Sequence, residues 1–191
     1  MDPTQLRSAA ADYYYVRGLM QVPLGIAFIA SALSNAHWEP LAREGVFLAV
    51  LALLAGLSWL ANRFYDQHYG RVTPPSGRRA KATAVAMIGF VMVIGLSLLL
   101  SSNASWSLDL PVNPTAAAFG FFMLFYSAVM ITLRLHHIVI WGGLVVVSLL
   151  PVWHDDDLGL VLVGVAIMVN GVFDHLQIVR TMGAATIPAD G

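Results

Sequence analysis

Two stretches of the chain carry the same pairing of an amide with a carboxylate. Gly56-Leu-Ser-Trp-Leu-Ala-Asn62-Arg-Phe-Tyr65-Asp66 and Gly164-Val-Ala-Ile-Met-Val-Asn170-Gly-Val-Phe173-Asp174 both read glycine, five mostly apolar residues, asparagine, two residues, an aromatic and an aspartate. Asparagine and aspartate four apart stack on one face of a helix. Each copy therefore presents both groups together where an apolar run ends. A carboxylate in that position needs a partner, which can be a proton, a cation or a hydrogen-bonding neighbour.

Histidines gather near the same places: His68 just after the first copy, His136-His137 after a middle apolar run, and His175 beside Asp174. Imidazoles and carboxylates of this kind can hold a divalent metal or relay protons. The candidate ligands are Asp66, His68, His136, His137, Asp174 and His175. The polar groups expected within the membrane are Gln21, Asn62, Asp66, Asn170 and Asp174. A plainer reading competes with both: polar residues collect where helices leave lipid because burial is costly, and an Asn and Asp pair can tie neighbouring helices together. The chain has no His-Glu-x-x-His spacing, phosphate-cradling glycine loop or Ser-His-Asp arrangement, so no catalytic residue is assigned and the cofactor is left open. All six histidines fall near the ends of apolar runs, which disfavours a haem held between two facing spans.

The elements that must position these groups follow from composition. The 191 residues are 58% hydrophobic and 11% charged, with a mean hydropathy of +0.73, whereas a soluble domain is nearer 25% charged. Apolar runs near twenty residues match the roughly 30 Å hydrocarbon core of a bilayer. The expected fold is all-α, a polytopic integral membrane bundle forming a single domain over 1–191. Its spans are expected at about 16–34, 42–64, 84–102, 114–133, 137–152 and 158–178, arranged as three antiparallel hairpins. A lone helix over 114–150 would be nearly twice what a bilayer needs, so the chain must turn near His136-His137, with Gly142-Gly143 absorbing part of the bend. Asn113 followed by Pro114 is a helix cap and first-turn pair. Asp2 and Asp12 before the first apolar run argue that it is a retained span rather than a cleaved leader.

Under this threading Arg7, Arg17, Arg63, Arg71, Arg78, Arg79, Lys81, Arg134 and Arg180 share one side and Arg43 alone takes the other. The positive-inside rule then makes both termini cytoplasmic, in an inner bacterial membrane. The two motif copies emerge on that same face. Arg71, Arg78, Arg79 and Lys81 form a basic loop suited to lipid headgroups or a partner protein. Asn103-Ala104-Ser105 fits a glycosylation sequon on the outer side. A net charge of -1 excludes a nucleic-acid partner, which needs a concentrated basic face. Without cysteine there are no disulfides or thiolate metal sites.

The functional expectation is a non-catalytic accessory, regulatory or structural membrane subunit. It would contact lipids and a partner protein, or its own copies, through its cytoplasmic face. The alternatives are a small-solute or proton-coupled transporter or channel, and a metal-dependent enzyme acting on lipid headgroups.

Overall fold

The computed structural model describes residues 13, 17–69, 76–102, 113–131, 133–150 and 156–183. Among these the chain is all-helical, and no strand occurs. A 3-10 turn, Gly18–Met20, leads into α1 (Gln21–Asn35); α2 (Glu44–His68), α3 (Ser76–Ser102), α4 (Pro114–Met130), α5 (Leu135–Ser148) and α6 (Asp156–Gly183) follow. Three segments, Gly18–Asn35, Glu44–His68 and Asp157–Thr181, are long and apolar enough to cross a membrane, and the apolar helical stretches Ala80–Gly95, Pro114–Met130 and Leu135–Ser148 are shorter.

Large apolar side chains line the outside of the bundle. Leu48, Leu53 and Trp59 on α2, Phe90, Val91 and Met92 on α3, and Phe121 and Phe125 on α4 are all exposed. Patches of this kind are rare on water-soluble monomers, and together with the three long apolar helices they support membrane association.

Several boundaries differ from those expected. The second helix continues to His68, beyond the expected end at about 64, so Tyr65, Asp66 and His68 lie in its closing turns, at the end of that apolar segment. The third begins at Ser76, which places Arg78, Arg79 and Lys81 on a helix and not in a loop. The fourth helix stops at Met130 and the fifth starts at Leu135, so the break precedes the histidines. Neither Gly nor Pro makes this break. The Arg134 backbone N–H instead donates to His137 Nδ1 at 3.4 Å, capping the new helix from its third residue. Gly142 and Gly143 lie inside α5, which runs through them without a break. Asn113 caps α4 by accepting from Ala116 N at 2.9 Å.

The last helix is the centre of the bundle. It packs on α1, α4 and α5, and its contact with α1 is the most extensive between any two helices. Glycine makes this possible. A methyl group on Gly18 would overlap the Gly171 carbonyl oxygen, and one on Gly25 would overlap that of Gly164. The pairs 18 with 171 and 25 with 164 are each seven residues apart along both helices, the repeat expected of a close antiparallel seam. Beside this seam Ala116, Trp141, Leu144, Val163, Ala166 and Ile167 form the main apolar core, flanked by Phe28 and Phe119. The helix pairs α1 with α2, α3 with α4 and α5 with α6 are neighbours.

Candidate functional site

The seam between α1 and α6 positions the second motif copy. Because the glycines let the two backbones nearly touch, Gln21 on α1 reaches Asn170 and Asp174 on α6, and α5 supplies His136 and His137 from the other side. Asp174 is fully buried. Its Oδ1 accepts from His136 Nε2 at 3.0 Å and His137 Nε2 at 3.2 Å. Its Oδ2 accepts from Asn170 Nδ2 at 3.0 Å and Gln21 Nε2 at 3.3 Å. A carboxylate has about four acceptor positions, so this one is saturated by imidazole and amide donors from three helices.

The tautomers are fixed by the same bonds. His137 Nδ1 accepts from a backbone N–H, so its ring proton sits on Nε2 and points at Asp174. Asn170 also donates to Gln21 Oε1 at 3.0 Å, which locks both amide orientations. The remaining Asn170 oxygen, Oδ1, is buried without a hydrogen-bond partner, as is Trp141 Nε1 one turn beyond His137. One turn along α6, Gln177 Oε1 accepts from Arg134 Nη1 at 2.7 Å. Phe173 stacks on the His136 ring at 5.8 Å.

The first motif copy builds a separate knot around Arg17, which is 5% exposed. Its Nη1 lies 2.8 Å from Asp66 Oδ1 and also donates to Asn62 Oδ1. The guanidinium lies 5.2 Å from the Tyr13 ring centroid and 6.0 Å from that of Tyr65, within cation–π range. Tyr65 is the hinge between the two knots. Its hydroxyl accepts from Leu19 N at 3.1 Å and donates to His175 Nδ1 at 2.9 Å. It thereby satisfies one of the backbone donors left open where the first helical segment begins. Tyr13 OH donates to the Tyr65 carbonyl at 3.0 Å. Burial pushes the Tyr13 hydroxyl above its ordinary range, against the opposing pull of Arg17, and so keeps it a neutral donor.

The six candidate ligands are thus divided. His136, His137 and Asp174 converge, with one ligand atom from each lying within 4.8 Å of the others. His175 is engaged by Tyr65 and Asp66 by Arg17. His68 is exposed, bonded to the Phe64 carbonyl at 3.0 Å, with its ring tilted against that of Phe64 at 4.1 Å between centroids. The five polar candidates fall into two sets: Gln21, Asn170 and Asp174 bonded to one another, and Asn62 and Asp66 both held by Arg17. Lys81 is exposed on α3, where Arg78 and Arg79 lie in the first two turns. Arg71, the 103–105 sequon and Arg7 lie outside the described residues.

Four contributors escaped the reading of the sequence. Arg17 stood as a topology-setting cation, Tyr65 as part of a pattern, and Gly18 and Gly171 not at all. The seven-residue glycine repeat on both helices was the available signal. Comparison of the chain with protein-family models, with curated proteins and with solved structures finds no match.

Proposed function

We propose that the chain is a non-catalytic accessory or structural subunit of the bacterial inner membrane, with six spans and both termini in the cytoplasm. Its partner surface would be the cytoplasmic face that carries Arg71, Arg78, Arg79 and Lys81. The observation that carries this reading is the saturation of Asp174. Its four hydrogen bonds all come from side chains of the same chain, which is how a polar group behaves when its task is to lock helices together. A solute pathway instead needs Gln21, Asn62, Asp66, Asn170 and Asp174 to line one wet cavity, whereas Gln21, Asn170 and Asp174 are bonded to one another and Asn62 and Asp66 to Arg17. The one-sided distribution of cations supports the orientation.

Purification from mild detergent tests the reading. The wild-type chain is expected to elute with a stoichiometric partner, a second protein or its own copy, and the triple charge reversal Arg78→Glu, Arg79→Glu, Lys81→Glu to release it. A wild-type chain that elutes as a lone monomer overturns the proposal. So does an assembly that the reversals leave intact.

A further inference from the structure

We propose that His136, His137 and Asp174 form a binding site for one divalent transition-metal ion of the zinc type, stapling α5 to α6. The two imidazole Nε2 atoms approach the same carboxylate oxygen at 3.0 and 3.2 Å. Ligand bonds of about 2.0–2.1 Å in a tetrahedral site place neighbouring donor atoms about 3.3 Å apart, so both imidazole-to-carboxylate separations already match a shared ion, and the two imidazole nitrogens lie within 4.8 Å of each other. Two imidazoles and a carboxylate suit zinc, iron or manganese, and the absence of a further carboxylate in the cluster disfavours magnesium and calcium.

A second observation points the same way. Asn170 is 3% exposed, is bonded to the same carboxylate, and holds Oδ1 without a partner. An amide oxygen left open on the residue that holds the ligand carboxylate is an available acceptor for a metal-bound water. His136, at 16% exposure, gives the ion a way in.

Binding requires each imidazole to offer a lone pair at Nε2, so each ring proton moves from Nε2 to Nδ1 with no net proton released. At His137 that shift gives up the 3.4 Å bond from the Arg134 backbone N–H, a long bond, and sets two N–H groups facing each other, a cost that ion binding must exceed.

The site needs no partner protein, so its test is independent of the subunit reading. The detergent-purified chain is stripped with chelator, then titrated with Zn2+ and Co2+, with Mg2+ as control. Elemental stoichiometry, chelator competition, the visible spectrum of Co2+ and the thermal midpoint are the readouts. The expected result is one ion per chain, a midpoint raised by Zn2+ but not Mg2+, and an affinity lowered about 100-fold or more by His136→Ala. His68→Ala, outside the cluster, should bind as the wild type does. Asp174→Asn is the second ligand variant, and His136→Ala keeps the test readable should the former not fold. Failure of the wild-type chain to retain Zn2+, equal stabilisation by Mg2+, or unchanged affinity in His136→Ala overturns the proposal.

Discussion

The two motif copies share a pattern and differ in almost everything that packing decides. In the second, Gly164 lies against the backbone of Gly25, Asp174 is fully buried, and Phe173 is half exposed. In the first, a methyl group on Gly56 would meet nothing within 4 Å, Asp66 is partly exposed at 27%, and Tyr65 is fully buried. The same Asn and Asp spacing thus serves a central helix in one case and a peripheral one in the other. Which helix stands opposite decides whether the carboxylate meets neutral donors or a guanidinium.

Paired substitutions, read as thermal or denaturant unfolding in detergent, sharpen or break that contrast. The largest loss is expected from Asp174→Ala, about 3–5 kcal/mol, because buried donors on three helices lose their shared acceptor. Asp66→Ala should cost about 1–2 kcal/mol, since its partner Arg17 keeps Asn62 and two aromatic rings. Equal losses would show that burial does not separate the copies. Gly164→Leu should cost about 3 kcal/mol or more by forcing α1 and α6 apart, whereas Gly56→Leu should stay within about 0.5 kcal/mol. Tyr65→Phe should cost about 1 kcal/mol, because the Leu19 N–H and His175 lose their common partner. The mirror change, Phe173→Tyr, faces outward and should fall within about 0.5 kcal/mol. A larger effect at Phe173 than at Tyr65 would reverse the assignment of roles.

The all-helical class was legible because apolar runs near bilayer length have few other solutions. The convergence of His136, His137, Asn170 and Asp174 was legible only as a shared end of the bundle. Nothing in local spacing says that Gln21, some 149 residues before Asn170, completes the set. Pairing between distant segments is a tertiary fact. Periodicity reports which face a helix buries and is silent on the partner. Helix ends were misjudged for a related reason: composition marks where polarity begins, but α2 carries its polar residues to His68 because Tyr65 and Asp66 are held by Arg17 and Leu19. The loop-like stretch at Arg78 to Lys81 proved helical, as arginine and lysine are good helix formers.

The glycine seam also sets an order of events. Since α1 emerges from the ribosome first and α6 last, Gln21 must wait for nearly the whole chain to be made before its amide meets Asn170 and Asp174. A nascent chain halted before α6 would hold that amide without its partners, while Arg17 already has its own on α2. Synthesis of α6 is therefore the step that zips the bundle shut, and a chain cut short of that helix carries an amide with no acceptor or donor to meet.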